Sequence, residues 1–111
     1  IASSNANYNW DGAYNTGNDF KQTRDVGQYA SNPWGFFDMH GNVWEWTSDQ
    51  FAGYSSEQVI DPRGAKSGLT KVIRGGGWED DAPALRSASR SNSPPSLRYE
   101  YLGFRLSLQK Q

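Results

Sequence analysis

The sequence predicts a loop-rich fold built on short, irregular strands, not a helical bundle. Two observations carry that expectation. The 111 residues include 12 Gly and are 14% aromatic but only 35% hydrophobic, so five Trp, six Tyr and five Phe supply most of the core. A bundle would instead show leucines recurring at 3.6-residue spacing, and no stretch of the chain does. Turn-forming clusters of Asn, Asp, Gly and Pro also break up every apolar run.

In order along the chain, residues 1–33 are polar and aromatic, with Asn5, Asn7, Tyr8, Asn9, Trp10 and Asp11 followed by Tyr14 to Phe20. Sequence of this kind turns often and seldom builds long elements. Its side-chain oxygens allow an oxygen-rich cation site from Asn7, Asn18 or Asp19 with nearby carbonyls, and a loop held by Asx-turns carries more weight on sequence alone. Asn32-Pro33-Trp34-Gly35 reads as a turn. Trp44 to Phe51 alternates as a strand, with Trp44, Trp46 and Ser48 on one face and Glu45, Thr47 and Asp49 on the other. Residues 52–70 are an excursion with turn signals at Asp61-Pro62-Arg63-Gly64 and Lys66-Ser67-Gly68.

Lys71-Val72-Ile73-Arg74 reads as a short strand running into Gly75-Gly76-Gly77-Trp78. Three glycines let a backbone pass close to another chain segment, but without a following Lys-Ser/Thr they are no phosphate loop. Residues 79–83 and 91–101 are loops, with Arg98, Tyr99 and Tyr101 exposed. Leu102 to Leu108 reads as a half-buried strand with Phe104, Leu106 and Leu108 on one face. Arg74, Arg86, Arg90 and Arg105 lie in or beside apolar segments, and at least two are expected to be buried and paired with carboxylates.

The densest stretch is Gly35 to Trp46, which packs four large aromatics, two carboxylates and two glycines into twelve residues. Carboxylates are rarely buried without a partner. Asp38, Gly41, Val43 and Glu45 can offer two carboxylates and two backbone carbonyls to one hard cation such as Ca²⁺. The alternative has Asp38 capping a short helix and Glu45 pairing with an internal arginine, and spacing alone favours it.

Several function classes are excluded or weakened by composition. A net charge of −1 gives no broad attraction to nucleic acid or anionic membrane, so neither is an expected partner. No apolar run approaches the roughly 20 residues that span a bilayer. The absence of cysteine removes disulfides, thiolate ligands and cysteine nucleophiles together. Ile1 is not an initiator Met, so a processed or internal boundary is expected there. No compartment is specified by these features. His40 is the single histidine, and one imidazole cannot build a histidine-held iron site. No serine sits in an elbow motif.

Four ordered motifs carry a family resemblance: Gly35 to Asp49, Val72-Ile73-Arg74-Gly75-Gly76-Gly77-Trp78, Arg86-Ser87-Ala88-Ser89-Arg90, and Leu102-Gly103-Phe104-Arg105. The chain resembles the formylglycine-generating enzyme, or sulfatase-modifying factor, family over nearly its whole length. Residues 1–111 correspond to the C-terminal part of such a domain, with its N-terminal part absent. The resemblance implies an α+β fold, a variant of the C-type lectin fold with little regular secondary structure and short antiparallel strands. It implies calcium at residues matching Asp38, Gly41, Val43 and Glu45, and a second site matching Asn7, Tyr8, Asn18 or Asp19, and Phe20, with carbonyls serving at Gly41, Val43, Tyr8 and Phe20.

The family's oxidase chemistry uses two cysteines that bind Cu(I), lying between the glycine-tryptophan motif and the arginine-serine segment. Here that region reads Glu79-Asp80-Asp81-Ala82-Pro83-Ala84-Leu85 and holds no thiol. Carboxylates cannot replace thiolates for Cu(I), so calcium and not copper is the expected cofactor. The expected function is therefore a non-oxidase, calcium-stabilised scaffold with a ligand- or protein-binding role. Its expected surface is Glu79, Asp80, Asp81, Arg98, Tyr99 and Tyr101, the last three of types favoured in binding hot spots. The alternative is a fragment of an enzyme whose N-terminal part supplies catalytic groups, that part being a partner in the same domain or on another protomer.

Overall fold

The structure, a computed structural model, describes residues 5–9, 20–54, 56 and 64–108. Its frame is one small sheet of four strands: β1 (Trp44–Gln50), β2 (Lys71–Arg74), β3 (Ser91–Ser93) and β4 (Leu102–Gly103). The spatial order is β3-β2-β1-β4. β1 and β2 form where the sequence reading expects them. β2 owes its place to Val72 and Ile73, β-branched residues that fit a pleated surface and are both buried.

β2 pairs antiparallel with both β1 and β3, whereas β4 lies parallel to β1. Antiparallel strands thus describe three of the four, and the parallel edge strand is a departure. β3 is a second one, since Ser91–Ser93 was expected to be loop. The β1–β2 ladder slips between Trp46 and Gln50. There the Thr47 hydroxyl donates to the Val72 carbonyl at 3.0 Å, occupying an acceptor that the irregular ladder leaves over.

The buried core beside the sheet is Ala6, Tyr8 and Leu85, with Ala82 and Ala84 packed against it. Leu85 ends a 3-10 helix, Ala82–Leu85, within the segment read as a polar loop and its continuation. Gly76 makes room for it: a Cβ there would stand 2.8 Å from Leu85 Cδ1, and φ is +73°. The expected turn at Asn32 to Gly35 is present, closed by the Gly35 amide on the Asn32 carbonyl at 2.9 Å.

Leu102 to Leu108 departs from its expectation. Pairing stops at Gly103, and Phe104, Leu106 and Leu108 are exposed. The alternation is present in the sequence, but β4 ends the sheet, so no strand among the described residues lies beyond it.

Candidate functional site

The centre of the molecule is Asn42. Its amide N–H donates to the Asn7 carbonyl at 2.7 Å, and its carbonyl accepts from the Trp78 amide at 2.9 Å. Its side chain accepts from the Arg24 amide at 2.8 Å and donates to the Arg24 carbonyl at 3.1 Å. Its φ of 69° lies in the left-handed region, which Asn tolerates better than most residues. One residue thereby fastens three segments distant in sequence. Neighbouring Gly41 is equally constrained, because a Cβ there would stand 2.4 Å from the Asn7 carbonyl oxygen.

Asn7 is buried beneath this junction. Its Nδ2 donates to the Gln22 carbonyl at 2.8 Å and to Asn42 Oδ1 at 3.2 Å, which fixes the amide's orientation. Among the described residues, its Oδ1 is then left buried with no hydrogen-bond partner. Of the other residues expected around a second calcium ion, Tyr8 is buried and Phe20 half-buried. Arg24 lies 3.9 Å over the Phe20 ring. Asn18 and Asp19 lie outside the described residues.

Asp38, Gly41, Val43 and Glu45 do meet, as walls of one cavity of about 480 Å³ that Phe104 and Arg105 also line. Asp38 caps no helix. Its φ is 52°, and its Oδ2 accepts the Gly27 amide at 2.6 Å. Glu45 takes a bidentate bond from Arg105, with Nε at 2.8 Å from Oε2 and Nη2 at 2.6 Å from Oε1. Arg105 also donates to the carbonyls of Phe37 and Asp38, at 2.8 and 2.6 Å. The Glu45 hydrogen bond raises the Arg105 pKa further above its ordinary value, so the guanidinium stays charged. A calcium ion here would share Glu45 with a cation of the chain's own, and would reach it through Oε2, because Oε1 already accepts both Nε at 3.0 Å and Nη2 at 2.6 Å.

The arginines depart from expectation. Among the described residues, Arg105 with Glu45 is the one carboxylate pair, and its side chains are 38% and 26% exposed. Arg74 donates instead to the carbonyls of Ser87 and Ser89. Arg90 lies over the rings of Phe51 and Tyr54 and donates to the Ala52 carbonyl. Carbonyls and aromatic faces satisfy a guanidinium without burying a carboxylate beside it.

Four of the six expected surface residues come together. Glu79, Asp80, Tyr99 and Tyr101 line a cavity of about 270 Å³, while Asp81 and Arg98 lie outside it. The Tyr99 and Tyr101 rings stack with centroids 4.9 Å apart. Asp80 is also a structural acceptor, taking the Trp44 indole N–H at 2.6 Å and the Gly77 amide at 2.8 Å. Sequence reading missed that role, although a buried Trp ordinarily seeks a partner for its N–H. Partial desolvation, then the charges of Asp80 and Glu100, push the Glu79 pKa above the ordinary carboxylate range. Desolvation first, and Glu79 next, raise that of Tyr101.

His40 sits against the Leu85 carbonyl, with Nδ1 at 2.6 Å. Among the described residues no three His, Cys, Asp or Glu side chains gather to hold a metal ion.

A four-stranded frame in mostly irregular chain is tied through Gly41 and Asn42 and braced by Arg105 on Glu45. Residues 2–110 match the model of the sulfatase-modifying factor enzyme 1-like domain, and the chain belongs to that family. It is 36% identical over 104 residues to the formylglycine-generating enzyme of Bos taurus, covering 86% of this chain and 28% of the enzyme. Among solved structures, Treponema denticola variable protein 1 superposes with a TM-score of 0.74 at 34% identity, covering 88% of this chain and 34% of that one. PvdO from Pseudomonas aeruginosa gives 0.68 at 32% identity, over 92% of this chain and 38% of that one. The chain thus spans between 28% and 38% of the length of these three relatives. The fold class is accordingly the α+β, little-regular-structure fold of formylglycine-generating-enzyme-like proteins.

Proposed function

We propose that this chain is a non-oxidase member of its family, a calcium-supported, C-type-lectin-like scaffold. Its binding surface is the Glu79, Asp80, Tyr99 and Tyr101 cavity. The observation that carries the reading is the use made of residues 79–85. They hold no thiol, Asp80 is bonded to Trp44 and Gly77, and Leu85 closes the core. The stretch that the resemblance assigns to copper chemistry thus carries structural bonds through Asp80 and core packing through Leu85, and offers Cu(I) no soft ligand. A rigid aromatic pair beside acidic groups suits recognition, because tyrosines bury area at low entropic cost. The likeness to a protein described as variable agrees with a fixed frame carrying changeable loops.

Calcium support rests on Asn7. A buried oxygen without a partner costs about 1–3 kcal/mol, and a hard cation would remove that cost. Tyr8 and Phe20 would contribute carbonyls, and Asn18 or Asp19 a side chain. Asp38, Gly41, Val43 and Glu45 would form the other site, sharing Glu45 with Arg105.

The test is incubation with a cysteine-containing sulfatase peptide, copper and oxygen. Mass spectrometry is expected to show no formylglycine above a no-protein control, and product above it would overturn the non-oxidase reading. The second reading, an enzyme part whose catalytic groups lie elsewhere in the domain, is favoured by the chain's spanning 28% of the Bos taurus enzyme. Adding the missing part would then be required for any turnover.

A further inference from the structure

We propose that the cavity lined by Trp34, Phe36, His40, Trp46, Arg74 and Arg86 binds a small aromatic carboxylate. Its volume is about 470 Å³, within the range of small-ligand sites. It shares no lining residue with the Glu79 and Tyr101 cavity, so neither reading depends on the other.

The walls are apolar and largely aromatic. Trp34 and Phe36 line the cavity while 83% and 56% exposed, Met39 joins them, and Trp46 lines it from β1. Scattered apolar side chains on a surface need no explanation, but several gathered around one cavity do. The turn that carries the two exposed rings is also held in place. Asn32 Oδ1 accepts the amides of both Trp34 and Phe36 at 3.0 Å, and the Asn32 amide donates to the Phe36 carbonyl at 2.9 Å. A segment fixed before binding has less entropy to lose on binding.

The charge favours an anion. Arg74 and Arg86 line the cavity, and among the described residues neither is paired with a carboxylate. The cavity's own carboxylate, Glu45, is already taken by Arg105. Arg74 is anchored on the Ser87 and Ser89 carbonyls, which leave its charge uncancelled. Arg86 is exposed, and among the described residues its side chain has no hydrogen bond, so its planar fork is open to a carboxylate. His40 adds an acceptor. A carbonyl can only accept, so the Nδ1 that stands 2.6 Å from the Leu85 carbonyl carries a proton, and the neutral ring keeps Nε2 as its acceptor. Aromatic walls, an unmatched guanidinium and one acceptor together suit a ring that carries a carboxylate and an N–H.

The test titrates the chain by calorimetry, in calcium-containing buffer, with N-acetyl-L-phenylalanine and with its uncharged amide. Expected is saturable one-to-one binding of the acid, with the amide at least tenfold weaker. Arg86→Gln and Trp34→Ala should each weaken the acid at least tenfold. Lys66→Gln, which removes an exposed positive charge outside the cavity, should leave its affinity unchanged. Circular dichroism of Arg86→Gln should match the parent, and the comparison of acid with amide reads the preference for charge on the parent chain without any variant. Absence of saturable binding, equal affinity for acid and amide, or an equal loss with Lys66→Gln overturns the proposal.

Discussion

The two ends of the Gly35 to Trp46 stretch differ sharply. At the Gly41 to Trp44 end the backbone is pinned by Asn7, Tyr101, Gly75 and Trp78, and Asn42 and Trp44 are buried. At the Gly35 to Met39 end, Phe36, Phe37 and Met39 are exposed, held by the nearby Asn32 and Gly27 and by one half-exposed arginine. Composition does not separate the two ends, since both are aromatic and each has a carboxylate within or beside it, Asp38 in one and Glu45 next to the other. What separates them is burial: distant segments cover Asn42 and Trp44, whereas Arg105 bonds the backbone of Phe37 and Asp38 and leaves the Phe36, Phe37 and Met39 side chains exposed. Stability is thus expected to concentrate at the Asn42 junction.

The largest effect that would break this contrast is expected from Gly41→Ala. The new Cβ would meet the Asn7 carbonyl oxygen at 2.4 Å, with φ already at +75°. A loss of about 3 kcal/mol or more in urea unfolding is expected, since strain and displacement of a buried bond act together. A variant with the parent's midpoint would mean that the junction is not where stability resides.

A middling effect is expected from Arg105→Ala. Were the pair buried, leaving Glu45 alone would cost about 3–5 kcal/mol. With side chains 38% and 26% exposed, solvent screens much of that. Loss of the bonds to Phe37 and Asp38 brings the expectation to about 1–2 kcal/mol, with the fold retained. Unfolding of this variant at all temperatures would make the outward end as structural as the junction.

The smallest effect belongs to Glu79. Its folded pKa lies above its ordinary 4.5, so the folded state binds more protons than the unfolded one between the two values. Stability contributed by this group is therefore highest below 4.5 and declines as pH rises through the folded value. Glu79→Gln should flatten that decline, seen as a slightly higher melting temperature near neutral pH and no change at pH 3. A variant that melts lower at neutral pH would show the Glu79 carboxylate to be favourably partnered.

Much of the frame was legible in the sequence, because β1, β2 and the turn at Asn32 are written in local alternation and turn chemistry. The hub was not. Asn42 acts through Asn7 and Arg24, 35 and 18 residues away, and no local pattern announces such partners. Glu45 offered two readings, a cation or an arginine, and Arg105, 60 residues distant, shows that the arginine is there. The alternation of Leu102 to Leu108 was read correctly as a pattern. Its burial was not, since a strand pattern states that a face is apolar without stating what covers it.

Calcium dependence is tested most directly by melting the chain with calcium, with excess chelator, and with magnesium in place of calcium. If the ion binds the folded state alone, calcium at 100 times its dissociation constant adds about 2.7 kcal/mol. For a domain of this size that is a rise of roughly 10 °C in melting temperature. Magnesium should restore little of it, because it demands tighter octahedral geometry and keeps its waters. Asn7→Ala should lose most of the rise attributable to its site, beyond its own destabilisation in chelator. A melting temperature indifferent to chelator, after metal analysis confirms removal, would contradict calcium support.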